Sequence, residues 1–137
     1  MNERLAKINI SWGELFDKFS ILSLKAQRIK DEDKLKYVNL EIKYLNSVIE
    51  ESGFQMILSS ESFLELHEIN ARLWDVEDKI RMKDSLGEFD NDFINLARSV
   101  YLNNDLRAKC KMAINTELRS PFREQKSYSD ESVFTKN

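Results

Sequence analysis

Only three glycines and one proline occur in a chain of 137 residues, and this scarcity constrains the fold more than any other feature. Strand-rich folds need a turn signal about every 8–12 residues, which this chain cannot supply. Apolar residues make up 42% of the chain and charged residues 33%, a composition typical of a globular domain. We therefore expect an all-α fold. The prediction is an antiparallel bundle of about four helices in a single domain over residues 1–120, followed by a polar tail over 121–137.

The clearest local signal marks the start of the first helix. Ser11 and Glu14 have the S-x-x-E spacing of a capping box, in which each side chain bonds the backbone amide of the other residue. Ile10 and Leu15 are placed to form the hydrophobic staple that accompanies such a box. We predict that residues 1–10 form a short, extended lead-in.

Apolar residues recur at spacings of three and four along the rest of the chain. This pattern predicts helices over about 12–29, 34–51, 61–83 and 91–120. Gly53 is a natural stop for the second helix, and Ser62 offers a capping box for the third. Either Asp90 or Asn91 caps the fourth helix, which should end before Pro121. Short loops favour two helical hairpins packed against each other.

Helices 1, 3 and 4 carry polar residues on lines where a bundle core is usually apolar. We call this set the polar seam, and its candidate ligand-binding residues are Lys18, Asn70, Glu77, Arg81, Asn104, Arg107 and Lys111. Burying such groups unpaired is costly, so they must pair, stay hydrated or meet a ligand. One interpretation is a site that holds a small carboxylate or phosphate. The other is a salt-bridge network or a solvated face, and the sequence leaves both open.

The remaining reactive residues give weaker signals. His67 is the only histidine and is interpreted as structural, while the single cysteine, Cys110, is expected to be a buried thiol. Acid pairs one helical turn apart can hold a divalent metal, but with 24 acids in the chain such spacings arise by chance. These pairs are Glu65–Glu68 and Asp75–Asp78. We predict neither a metal nor a cofactor.

Charge and cysteine content predict the compartment and the partners. One cysteine excludes an internal disulfide and indicates a reducing compartment. A net charge of −3 gives no reason to expect nucleic acid, and no apolar run approaches the roughly 20 residues that span a bilayer. We expect a cytoplasmic protein with no membrane contact. A homo-oligomer is also expected, because some apolar residues lie outside the main stripes, such as Phe16, Leu24, Leu40 and Tyr44.

Four sequence blocks together resemble a family of short bacterial proteins of unknown function. Residues 10–18 match its opening motif, I-S-x-G-E-L-x-D-K, and residues 69–78 its middle one. Residues 97–108 match A-R-S-V-Y-x-x-N-D-x-R-A, and residues 124–128 match the closing motif. The resemblance implies that the helix cap, the seam residues and the tail belong to one recurring pattern. It implies no particular activity.

These observations favour a small cytoplasmic binding or assembly module with a charged groove on helices 3 and 4. The tail would be flexible or would dock on a partner. One alternative is a small helical enzyme or sensor for an anionic metabolite, with electrostatics like those of the all-helical chorismate mutases. A further alternative is an all-α, metal-dependent nucleotide pyrophosphatase. Whether the protein is an enzyme stays open at this point.

Overall fold

A computed structural model describes residues 4–128, and the chain is all-α within this range. The four helices are α1 (Trp12–Arg28), α2 (Glu32–Ser52), α3 (Glu61–Leu86) and α4 (Asn91–Glu117). A 3-10 turn over Gln55–Ser59 joins α2 to α3. Residues 1–3 and 129–137, which belong to the predicted lead-in and tail, lie outside the described residues. The predicted helical class and the number of helices are confirmed.

The helix starts follow the capping signals of the sequence, with one correction. Ser11 accepts a hydrogen bond of 3.1 Å from the amide of Glu14, as predicted, and Asp90 caps α4. For α3 the prediction of Ser62 was wrong, because Ser62 already lies inside the helix. Ser60 has the extended backbone that a cap requires, and its hydroxyl accepts from the amide of Phe63.

The helix ends are equally local in origin. Gly53 ends α2 with a φ of 77°, and Gly87 ends α3 with a φ of 68°, in the left-handed region that favours glycine. α4 ends at Glu117, three residues before the predicted end at Ser120. Arg119 has a φ of 53°, which turns the chain so that Ser120 becomes buried beside the start of α1.

α1 is the central helix, because it packs against each of the other three. Glu14 of α1 pairs with Lys111 of α4. Asp17, further along α1, pairs with Arg107, which comes earlier in α4, so these two helices run antiparallel. At their closest approach, a Cβ added to Gly13 would lie 2.4 Å from the carbonyl oxygen of Lys111. Only glycine fits at this contact.

Two opposite faces of α1 are therefore buried, which corrects part of the predicted interface. Phe16 is fully buried and Leu24 almost so, and both lie inside the fold. Leu40 and Tyr44, on α2, are exposed as an interface would require. The main apolar core joins all four helices and the 3-10 turn, and it comprises Leu15, Phe16, Ile49, Ile57, Phe63, Leu66, Ile69, Cys110 and Ile114.

The hairpin of α3 and α4 extends beyond the end of α1. Arg28, the last residue of α1, bonds Asp75 at 2.7 Å and lies 5.6 Å from the ring centroid of Trp74. From there α3 continues for about three more turns. No residue in the fully described range 71–109 is buried. We call residues 76–103, the projecting part of this hairpin, the arm.

Candidate functional site

A buried polar network crosses the interface of α1, α3 and α4. Asp17 is only 1% exposed, and it accepts two hydrogen bonds from the guanidinium of Arg107, one of them 2.9 Å long. The amide of Asn70 donates to both Asp17 and Ser20 at 3.1 Å. The hydroxyl of Ser20 lies 2.9 Å from Nδ1 of His67. These five side chains form one connected set that ties the three helices together.

The charges of this network are matched. The hydrogen bond with Asp17 raises the pKa of Arg107 against the opposing effect of burial, so Arg107 keeps its positive charge opposite the carboxylate of Asp17. Burial, and then the nearby charge of Arg28, lower the pKa of His67. His67 is therefore neutral at pH 7, which lets Nδ1 accept the hydroxyl proton of Ser20.

A second set of hydrogen bonds holds the start of α1 against the end of α4 and the residues that follow it. The amide of Gly13 donates to Oδ1 of Asn115 at 2.6 Å, and the amide of Trp12 donates to the hydroxyl of Ser120 at 3.3 Å. α4 and the residues after it thus satisfy helix amides that would otherwise lack an acceptor.

Lys111 connects this region to the tail. Its ammonium lies 2.9 Å from the carboxylate of Glu14 and 3.0 Å from that of Glu124. Burial alone would lower the pKa of Lys111, but the bonds to the two carboxylates raise it. The bond from Lys111 lowers the pKa of Glu124. The carboxylate of Glu14 therefore bonds Lys111 of α4. The predicted capping box had this carboxylate accept a hydrogen bond from the amide of Ser11.

A cleft of about 460 Å³ opens where α1 ends against α3 and α4. This volume lies within the range of roughly 300–1,000 Å³ that is usual for small-molecule sites. Apolar side chains form one part of the wall, and amide and charged side chains form the other. The cleft is lined by Ile21, Leu24, Asn70, Leu73, Trp74, Glu77, Asp78, Arg81, Asn104 and Arg107.

Most of the predicted seam residues meet in this cleft. They are Asn70, Glu77, Arg81, Asn104 and Arg107. Lys18 does not join them, because it lies on the exposed side of α1, 3.7 Å from Glu14. Lys111 does not line the cleft either. It lies one helical turn after Arg107 in α4, where it pairs with Glu14 and Glu124. A ligand-binding role for these residues stays a prediction.

A family model matches residues 6–135, and it describes a family of unknown function, DUF6165. The chain belongs to this family. The matched range contains the whole buried network, the cleft and the described part of the tail. The chain matches no curated protein and no solved structure.

The polar seam as predicted omitted Asp17 and Ser20, the two acceptors at the centre of the network. Gly13, Asp17, Ser20 and Leu24 follow one another at spacings of four, three and four along α1. This is a second helical stripe beside the apolar one, and it is the signal that could have found them.

The remaining reactive side chains lie outside the cleft. Cys110 is buried, as predicted, and burial together with Glu65 raises the pKa of its thiol to about 11. His67 is turned toward Ser20. Across residues 4–128, no three histidine, cysteine or acidic residues gather in a way that could hold a metal ion. Over the same residues, no helix is both long and apolar enough to cross a membrane.

Proposed function

We propose that this protein is a cytoplasmic binding module whose cleft takes a small zwitterion of the amino-acid type. Such a ligand joins an amine and a carboxylate to an apolar body. The observation that carries the proposal is the composition of the cleft wall, which presents charges of both signs beside an indole ring.

The charge balance of the wall favours a ligand with an amine. Glu77 and Asp78 bring two carboxylates, and Arg81 brings one guanidinium. Arg107 adds no net charge, because Asp17 neutralises it. The wall therefore has an excess of negative charge, which supports an ammonium group and opposes a simple dianion.

Two groups can receive the carboxylate of the same ligand. Arg81 forms only an exposed ion pair with Glu77 at 3.5 Å, which is weak enough to exchange for a ligand. Asn104 accepts from Arg107 through its oxygen at 3.4 Å, so its amide nitrogen is left to donate.

The apolar body of the ligand has apolar side chains of the cleft to pack against. Trp74 lines the cleft together with Leu24 and Leu73. The guanidinium of Arg28 lies over the indole ring of Trp74, 5.6 Å from its centroid, in the geometry of a cation–π contact. Binding is favoured over catalysis, because His67 and Cys110, the side chains best suited to proton transfer or nucleophilic attack, do not line the cleft.

Three matched compounds test this proposal by isothermal titration calorimetry. Phenylalanine has both charged groups, phenethylamine lacks the carboxylate, and 3-phenylpropanoate lacks the amine. We expect phenylalanine to bind best and phenylpropanoate worst. Asp78→Asn should weaken the binding of both amines, whereas Asp84→Asn, on the exposed part of α3 outside the cleft, should not. Tightest binding of phenylpropanoate would instead favour a cleft that holds a small carboxylate, and no binding of any compound would overturn the proposed ligand class.

A further inference from the structure

The arm lacks a core of its own. The apolar residues between its two helices are only half-buried, and they are Val76, Ile80, Phe93, Leu96 and Val100. Other apolar side chains of the arm are more than half exposed, among them Met82, Leu86, Phe89 and Leu102, which are between 52% and 64% exposed. Helices in water depend mostly on packing of an apolar face, so a projecting hairpin of this kind leaves its packing incomplete.

A groove of about 510 Å³ runs along the arm between α3 and α4. Met82, Leu86 and Leu96 form its apolar floor. The positions of Met82 and Leu86 lie on a different side of α3 from Glu77 and Arg81, which line the cleft, as helical periodicity requires. The groove and the cleft are therefore separate surfaces.

We propose that the arm pairs with the arm of a second copy of this chain, so that two hairpins complete one four-helix bundle. Such bundles bury the apolar faces of four helices in one shared core. The partner supplies what the single arm lacks. It covers the half-buried apolar residues between the two helices and the apolar residues of the groove.

The charges along the groove identify a second copy as the partner. Lys79 lies on its α3 side and Asp92 on its α4 side. Lys83 and Glu88 also line the groove, but they bond each other within one copy, and Lys83 bonds Asp90 as well. Two-fold pairing brings the same surface of each copy together. An arrangement with α3 of one copy over α4 of the other sets Lys79 of each copy against Asp92 of the partner subunit.

The area is also adequate for a stable dimer. Met82, Leu86, Phe89 and Leu102 lie in the groove or within one helical turn of it. At roughly 100 Å² each they offer about 400 Å² of apolar surface per copy. A standard interface buries about 800 Å² per partner, of which somewhat more than half is apolar.

A rival surface on α2 provides a matched control. Tyr37, Leu40 and Val48 are exposed on the outer side of α2. This helix already has the buried residues Val38 and Ile49 on its inner side, whereas the apolar residues of the arm are at most half-buried. Leu40→Glu and Met82→Glu are therefore equivalent substitutions of an exposed apolar residue on two competing surfaces.

Sedimentation equilibrium of the full chain tests the proposal. We expect the wild type to be a dimer, and Met82→Glu or Leu86→Glu to raise its dissociation constant more than about tenfold. Leu40→Glu should leave the constant unchanged, and circular dichroism should show unchanged helicity in all three variants. Lys79→Glu should weaken the dimer, and Lys79→Glu combined with Asp92→Lys should restore it, which provides a test that does not depend on the apolar variants. A monomeric wild type would overturn the proposal, as would a dimer that Leu40→Glu disrupts and Met82→Glu does not.

Discussion

Arg107 holds Asp17 through two hydrogen bonds, although 90 residues separate them in the sequence. The pair fixes α4 to the central helix, and Asn70 adds α3 to the same carboxylate. Two residues of the polar seam, Asn70 and Arg107, therefore hold the helices together as well as lining the cleft. The seam residues Glu77, Arg81 and Asn104 line the cleft without bonding Asp17.

Removing the charge of Asp17 should destabilise the fold. Asp17→Asn leaves the guanidinium of Arg107 without its counter-charge, and breaking a buried pair of this kind costs about 3 kcal/mol. The value is at the low end of the usual range because 29% of the Arg107 side chain is exposed. The free energy of unfolding in urea measures the loss. Glu77→Gln, which breaks only an exposed pair, should cost less than about 0.5 kcal/mol, and equal losses in the two variants would contradict this account.

The contact between α1 and α4 should not tolerate a larger residue at position 13. Alanine is intrinsically better in a helix than glycine by about 1 kcal/mol. In Gly13→Ala, however, the new methyl group would meet the backbone of Lys111, so the helices must separate and the variant should lose about 1–3 kcal/mol. Thermal unfolding measures this loss. Gln27→Ala, on the exposed side of the same helix, is the control, and a stabilised Gly13→Ala would show that the contact is not tight.

Stability should fall as the pH falls below 7. Burial lowers the pKa of His67 in the folded protein, so the unfolded chain binds a proton at a higher pH than the folded one. This contribution is fully present above the ordinary histidine pKa of about 6.5 and is lost as the pH falls through the lower, folded value. Urea unfolding at pH 7.5 and pH 5.5 should show the loss in the wild type. His67→Gln should show a smaller loss, and an identical loss would assign the pH dependence to other groups.

The tail should lose order when its anchor is removed. Glu124→Gln eliminates the carboxylate that bonds Lys111, while Glu14 still pairs with that lysine. We expect less than about 1 kcal/mol of lost stability, because Glu124 is half-exposed. Heteronuclear nuclear Overhauser effects for residues 122–128 should decrease. Glu117→Gln should leave them unchanged, and unchanged values in Glu124→Gln would mean that the tail is held by other contacts.

Features of the fold that depend on neighbouring residues could be predicted from the sequence. The cap at Ser11 and the stop at Gly53 each rest on a few adjacent residues, and both are confirmed. The prediction at Ser62 failed because two serines compete for one cap. The local signals favoured the inner serine, although the backbone of Ser60 is the one that leaves the helix.

The site could be predicted only where polar residues interrupt a core-like line. Asn104 and Arg107 do so in α4, and both line the cleft. Asp17 escaped prediction because α1 has a complete apolar stripe, and nothing in that stripe shows that the helix is buried on a second side. Lys18 was chosen instead, one position away, but a step of one residue turns the side chain to a different side of the helix.

The two tryptophans allow the central claim, a cleft that binds a small zwitterion, to be measured in the native protein. Trp74 lines the cleft, whereas Trp12 packs on Phe54 at the other end of α1, with ring centroids 4.9 Å apart. The measurement is a titration with phenylalanine, followed through the two indole N–H signals in a ¹H–¹⁵N correlation spectrum. We predict that the Trp74 signal shifts to saturation while the Trp12 signal stays in place. A Trp74 signal that does not move, or two signals that shift alike, would contradict the claim.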